Sequence, residues 1–175
     1  MVVSVSGTGI SNYETLERTV QLYLLRHGLA EPKSASGRDV DRRLTPSGIA
    51  SVGDAMQRAR SAACKPDVII SSPYLRALET ARIAAECLGY SGDLLQSPAL
   101  CPEASPSGLW EEASLHAPAE AVLLVAHEPL LSAAVSWLLG ETRVVTTFGP
   151  ATMVRIDVEK LGARPQAVFK WKLEA

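Results

Sequence analysis

Short apolar runs recur along the chain, and three of them have the length and the polar boundaries of buried strands. They are Val20–Leu25, Val68–Ile70 and Ala121–Ala126. Runs of this kind are typical of strands that are covered on both faces. Weaker apolar segments, also predicted to be strands, lie near residues 93–96 and at Val144–Thr146, Met153–Val158 and Val168–Trp171.

The segments between these runs have the start and stop signals of helices. Ser or Thr followed by Pro is an N-cap with proline at the first helical position, and Gly commonly ends a helix. The predicted helices run from Thr45-Pro46 to about Ala62, from Leu75 to Gly89, from Ser105-Pro106 to about His116, and from Pro129 to Leu139. Strands that alternate with helices predict one α/β domain, with a mostly parallel sheet flanked by helices on both faces.

The 175 residues suit a single domain. Residues 1–19 lack periodicity, so we interpret them as an N-terminal extension to a domain of residues 20–175. The N-terminus lacks the charged and apolar regions of a signal peptide, and no apolar run reaches the roughly 18 residues that span a bilayer. The sequence therefore predicts a cytoplasmic protein without a membrane partner.

The charge and the cysteine content limit the classes of molecule that the protein is expected to bind. With 17 Lys and Arg against 19 Asp and Glu, the formal net charge is -2, which argues against a nucleic-acid partner and makes any anion site local. The 3 cysteines show no CxxC pair, which indicates reduced thiols. No ligand pair has the spacing of a zinc site, so no metal is expected. No cofactor of another kind is expected either.

Polar side chains with catalytic potential follow the three clearest strands. They are Arg26, His27 and Gly28 after the first strand, Ser71-Ser72-Pro73 leading to Arg76 after the second, and His127-Glu128 after the third. Ligands of parallel sheets bind beyond the carboxyl ends of the strands. Two guanidiniums and two imidazoles at one edge suit phosphoryl transfer, because arginines grip phosphoryl oxygens and an imidazole can attack phosphorus.

These segments together resemble a known family. Leu25–Gly28, Ser71–Ala81 and Val125–Pro129 are similar to the motifs of the histidine phosphatase (phosphoglycerate mutase-like) superfamily. The short chain and the segment Pro102–Pro106 are most similar to its small phosphohistidine phosphatase (SixA-like) branch. The similarity covers about residues 20–158.

The resemblance implies a role for each matched residue. His27 would be transiently phosphorylated, while Arg26, Arg76 and His127 would hold the phosphoryl group, and Gly28 would let the backbone approach it closely. The alternatives are a structural role for each histidine at its strand end, and a surface role for Arg76, which would pair with Glu79 or Thr80 on its own helix.

The matched motifs do not assign the general acid, the residue that would protonate the leaving group. In larger relatives a Glu from the middle of the chain supplies the proton, and Glu103 is the positional candidate, ahead of Glu128 and Glu31. The loop from Glu31 to Arg43 is expected to border the site, with Arg43 either a substrate contact or solvated. His116, at a predicted helix end, is expected to be a solvated capping residue.

The predicted function is that of a metal-independent phosphatase that works through a phosphohistidine intermediate and dephosphorylates phosphohistidine on a protein. One alternative is a phosphomonoesterase for a small phosphorylated metabolite, which a well-placed acid at Glu103 would favour. Another is a non-catalytic module that binds phosphorylated partners. The presence of both His27 and His127 argues against that module, since binding alone needs no nucleophile.

Overall fold

A computed structural model describes residues 19–116, 118–160 and 162–175. The predicted extension lies outside the described residues, apart from its last residue. The strands are β1 (Val20–Arg26), β2 (Val68–Ser71), β3 (Leu94–Gln96), β4 (Ala121–Ala126), β5 (Met153–Lys160) and β6 (Gln166–Leu173). The helices are α1 (Pro46–Ser61), α2 (Leu75–Leu88), α3 (Pro106–Leu115) and α4 (Leu130–Leu138), and short 3-10 turns span Asp39–Asp41 and Pro98–Leu100.

The strands form one mixed sheet in the order β3-β2-β4-β1-β5-β6. The first four are mutually parallel, while β5 and β6 are antiparallel to their neighbours. The predicted α/β class and the parallel core of the sheet are therefore confirmed. Arg26 pairs with Ala126, and Ser71 pairs with Val125, so the parallel strands end nearly level.

The sheet separates two apolar layers. In β1, Leu22 and Leu24 face the layer that contains α3 and α4, while Tyr23 and Leu25 face the layer that contains α1 and α2. All six residues of β4 are buried. Burial on both faces is the reason that these strands read as continuous apolar runs.

The helix ends follow the predicted chemistry. Thr45 Oγ1 accepts the Gly48 N–H at 3.0 Å, Ser105 Oγ accepts the Gly108 N–H at 3.1 Å, and Gly89 ends α2 with φ of 70°. Of the helices in the described part of the chain, none has the length and apolar character needed to cross a bilayer.

The predicted strand at Val144–Thr146 is wrong. These residues lie in the loop between α4 and β5, where the side chains of Val144 and Val145 are exposed. Both edges of β1 are already paired, with β4 and β5. The backbone N–H of Val145 instead donates to the Ser136 hydroxyl at 3.2 Å. The β-branched residues favour a strand, but the sheet offers them no partner there.

Candidate active site

The level ends of β1, β2 and β4 bring the two predicted histidines together. The ring centroids of His27 and His127 are 4.9 Å apart. Both rings are buried, and so is Arg76, which enters from the first turn of α2. Because the site is largely shielded from water, its hydrogen bonds and charges act in a low dielectric.

His27 has one tautomer that satisfies its neighbours. Its Nδ1 lies 2.7 Å from the carbonyl oxygen of Gly28, which can only accept, so Nδ1 carries the proton. The Nε2 atom is then unprotonated, and its lone pair accepts the Arg76 Nε–H at 3.3 Å. Burial lowers the pKa of His27 to about 4, helped by the guanidiniums of Arg76 and Arg26, although the bond to Gly28 acts in the opposite direction. The ring is therefore neutral at pH 7.

Arg76 is held by the loop that precedes α1. Its Nη1 donates to the Asp39 carbonyl at 2.9 Å, and its Nη2 donates to Asp39 Oδ2 at 3.0 Å. Asp39 Oδ1 accepts from Arg42 Nη1 at 2.7 Å. These bonds, led by the one from Arg42, lower the pKa of Asp39. Arg76 therefore does not pair with Glu79; it faces the site.

Arg26 reaches the site from the end of β1. Its Nη1 donates to the Phe148 carbonyl at 2.5 Å, while its buried Nε has no hydrogen-bond partner among the described residues. The Phe148 N–H in turn donates to Glu128 Oε1 at 2.7 Å, and Glu128 also accepts from the hydroxyl and the N–H of Ser132. Glu128 thus ties the loop before β5 to the start of α4, and its oxygens are already engaged.

His127 contacts a serine that sequence analysis treated only as part of a motif. The Nε2 atom of His127 lies 2.8 Å from Ser72 Oγ, which also accepts the Tyr74 N–H at 3.3 Å. The hydroxyl hydrogen of Ser72 has a strong acceptor in Nε2, whereas the alternative, Cys101 Sγ, is a weak acceptor at 3.9 Å. This arrangement favours a proton on His127 Nδ1, a buried atom without a hydrogen-bond partner among the described residues.

The electrostatics of His127 parallel those of His27. Burial lowers the pKa of His127 to about 2, helped by the charge that His27 would carry if it were protonated and by the Arg76 guanidinium. A neutral imidazole with its proton on Nδ1 can donate one hydrogen bond from that atom. Two donors without a partner among the described residues, Arg26 Nε–H and His127 Nδ1–H, therefore accompany the unprotonated Nε2 of His27.

Tyr74 forms one wall of the site. Its ring meets the ring of His127 edge-on at 5.0 Å between centroids, and the Arg76 guanidinium carbon lies 4.8 Å from its centroid. Both contacts are favourable aromatic geometries. Tyr74 thereby fixes two of the four predicted groups relative to each other.

Packing explains why a residue without a side chain stands at position 28. Its N–H donates to Thr80 Oγ1 at 3.1 Å, and a Cβ at this position would lie 2.7 Å from Val52 Cγ2 and 2.9 Å from the Gly48 carbonyl oxygen. The lack of a side chain therefore lets α1 approach the end of β1. A contact between Gly28 and a phosphoryl group stays a prediction.

The remaining sequence candidates are Glu103, Glu31, Arg43 and His116. Glu103 is exposed, in the turn after Leu100, and its charge adds to burial in raising the pKa values of Tyr74 and Cys101. Glu31 offers its main-chain carbonyl to Arg42 Nε at 2.5 Å. Arg43 is 2.7 Å from Glu79 and mostly exposed. His116 caps the end of α3, with its Nε2 3.5 Å from Glu112.

Sequence reasoning missed the roles of Asp39, Ser72 and Tyr74. Asp39 sits in a loop of alternating charges, where its contact with Arg76 has no local signal. Ser72 and Tyr74 belong to the segment that carries the family resemblance, and this was the available clue. In the described part of the chain, no three His, Cys, Asp or Glu side chains are placed to hold a metal ion.

An α/β domain with paired histidines and arginines at the carboxyl edge of its parallel strands has the form of a phosphoryl-transfer enzyme. The sequence profile of the histidine phosphatase superfamily (branch 1) matches residues 22–100. An uncharacterised protein of Picosynechococcus sp. is 34% identical over 113 residues, which are 63% of this chain and 67% of that protein. The chain belongs to the histidine phosphatase superfamily and is a phosphatase by class.

Solved structures share the fold. The protein histidine phosphatase SixA, complexed with tungstate, superposes with a TM-score of 0.78 at 23% identity, over 89% of this chain and 97% of that one. A mycobacterial glucosyl-3-phosphoglycerate phosphatase superposes with a TM-score of 0.66 at 17% identity, over 89% and 100%. One of these names specifies a protein substrate and the other a small phosphoester.

Proposed function

We propose that the chain is a metal-independent phosphatase that forms a phosphohistidine at His27 Nε2 and removes phosphoryl groups from phosphohistidine in a protein. One observation carries the mechanism: the unprotonated Nε2 of a neutral, buried His27 lies 3.3 Å from the Nε–H of Arg76. An unprotonated nitrogen beside a guanidinium is what a nucleophile toward phosphorus requires.

In the first step His27 Nε2 attacks phosphorus, and the bond between phosphorus and the substrate's imidazole nitrogen breaks. That imidazole takes a proton from water and leaves as a neutral ring, and the hydroxide that remains takes up the proton released by the attacking water of the second step. In the second step water attacks the phosphorus on His27, the new P–N bond breaks, and phosphate departs while Nε2 regains its lone pair. Arg26, Arg76 and the Nδ1–H of His127 are the donors for the phosphoryl oxygens.

The chemistry of the leaving group supports phosphohistidine in a protein as the substrate. An imidazole departs more easily than an alkoxide, so its departure needs less help from a positioned acid. Glu103 is exposed, and Glu128 is held by Phe148 and Ser132. The shared fold with SixA, a protein histidine phosphatase that was solved with a tetrahedral oxyanion, agrees with this choice.

The test is to trap the intermediate. Rapid quenching during turnover of a ³²P-labelled phosphohistidine protein should leave acid-labile, base-stable label on the enzyme, and His27→Ala should lose both the label and nearly all turnover. His116→Ala removes the third histidine, outside the site, and should keep both. Label that persists in His27→Ala, or a wild-type enzyme that binds the substrate without releasing phosphate, would contradict the proposal.

A small phosphoester is the second candidate, because Glu103 lies close enough to raise the pKa of Tyr74, which lines the site. If Glu103 is a general acid, Glu103→Gln should slow alkyl phosphate hydrolysis by roughly 10² or more. The effect should be smaller for aryl phosphates with acidic leaving groups. For a phosphohistidine phosphatase without a dedicated acid, the same change should alter turnover of a phosphohistidine protein by less than about tenfold, about 1.4 kcal/mol in barrier. A larger loss, with the fold intact, would favour the phosphoester.

A further inference from the structure

A cavity of about 440 Å³ lies beside the candidate active site, between the loop before α1 and the start of α2. Its loop side is formed by Arg38, Val40 and Asp41, and its helix side by Pro73, Tyr74, Leu75 and Leu78. The volume is in the range of small-ligand sites.

Two residues connect the cavity with the site. Tyr74, which lines the cavity, also contacts the ring of His127 and the guanidinium of Arg76. Asp39, which stands between two lining residues of the loop, binds Arg76 through its carbonyl and its carboxylate. A substrate with its phosphoryl group at Arg76 would therefore have its adjoining part within reach of the cavity.

Most of the cavity wall is apolar, and the two charged residues in it have opposite signs. Val40, Pro73, Leu75 and Leu78 supply aliphatic surface, and the two charged lining residues, Arg38 and Asp41, are 3.7 Å apart. The neighbouring arginines are also matched, since Arg42 lies 2.7 Å from Asp39 and Arg43 lies 2.7 Å from Glu79. An acidic metabolite needs cations that are free to bind it, whereas an apolar side chain needs only the apolar wall.

We propose that this cavity is a specificity subsite that takes an apolar side chain of a polypeptide substrate, next to the phosphorylated histidine. The proposal rests on the proposed function for its substrate class. Val40 and Leu78 are the specificity-determining residues, one on each wall.

The test uses peptides with a non-hydrolysable triazole analogue of phosphohistidine, flanked on both sides by Leu, Ser or Glu, and measures Kd by fluorescence anisotropy. The Leu peptide should bind about tenfold more tightly than the Ser peptide, which is about 1.4 kcal/mol. Leu78→Gln and Val40→Ser should each reduce that ratio to about twofold. Leu115→Gln changes a leucine that is 74% exposed and outside the cavity, and it should keep the ratio.

Equal Kd values for the Leu and Ser peptides would overturn the subsite. A tightest Kd for the Glu peptide, or a ratio that survives both cavity variants, would also overturn it. Turnover of phosphoramidate, which has no side chain to fill the cavity, is measured separately with the wild-type enzyme. Failure there counts against the proposed function, while the binding ratio still decides the subsite.

Discussion

At the scale of single residues, burial keeps the two imidazoles neutral. His27 and His127 have pKa values lowered to about 4 and about 2, whereas an arginine side chain is a cation by its own chemistry. A neutral His27 has the lone pair that the proposed nucleophile needs, and in the proposed mechanism the arginines supply the positive charge that a phosphoryl group requires. What each imidazole can do, whether it donates a hydrogen bond or attacks phosphorus, then depends on which of its nitrogens carries the proton.

Ser72 sets that choice for His127. Ser72→Ala removes the hydroxyl 2.8 Å from Nε2, so His127 should lose its preference for a proton on Nδ1. We expect kcat to fall about tenfold, in line with one hydrogen bond of about 1.4 kcal/mol, and ¹⁵N NMR to record the change of tautomer. Ser71→Ala is the matched control, because Ser71 is also buried but donates to a main-chain carbonyl. A lower kcat with an unchanged His127 spectrum would show that Ser72 acts only on the fold.

At the scale of elements, α1 packs against the segment after β1 with no room for a side chain between them. A Cβ on Gly48, in the first turn of α1, would lie 2.1 Å from the Leu29 carbonyl oxygen. Gly28, directly after His27, is also confined, since a Cβ there would lie 2.7 Å from Val52 Cγ2. The two glycines let the helix support the backbone that carries the candidate nucleophile.

Two glycines of the same helix should therefore respond in opposite ways. Gly48→Ala should lower the free energy of unfolding by roughly 1 to 3 kcal/mol, because either the helix or the segment after β1 must shift. Gly53→Ala places a Cβ with nothing within 4 Å, and should raise that free energy by up to about 1 kcal/mol through better helix propensity. Urea unfolding measures both, and equal effects of the same sign would contradict the close packing at Gly48.

At the scale of the whole molecule, the two neutral histidines link stability to pH. In the unfolded chain an imidazole binds its proton near pH 6.5, while folded His27 binds it only near pH 4. Between these values the unfolded state holds more protons, so stability is full above pH 6.5 and is lost as the pH falls. His127 acts in the same direction.

The free energy of unfolding should therefore fall by about 2 kcal/mol or more between pH 6.5 and 4.5. His27→Asn and His127→Asn should each reduce this fall, because each removes one imidazole that must be kept neutral. His116→Asn, at the end of α3 beside Glu112, is the control and should leave the fall in place. Chemical denaturation across this pH window measures the dependence, and a flat profile for the wild-type chain would contradict buried neutral histidines.

Local sequence was enough to predict the strands and helices that form the frame. Periodicity and caps depend on residues that are close along the chain, as at Thr45 and Gly89. The convergence of Arg26, His27, Arg76 and His127 was also predictable, because parallel strands place their carboxyl ends at one edge. The prediction of a strand at Val144–Thr146 was wrong because a strand needs a partner strand, and local propensity contains no information about one.

The sequence by itself determined the α/β class, the frame of the sheet and which side chains meet at its edge. Only the tertiary structure decided how those side chains are held: Arg76 by Asp39, His127 by Ser72, and Gly28 by the approach of α1. These contacts join residues from separate elements, and their geometry depends on how the elements pack. The protonation state of the two histidines also depends on tertiary structure, because they are neutral as a result of burial, which the whole fold creates.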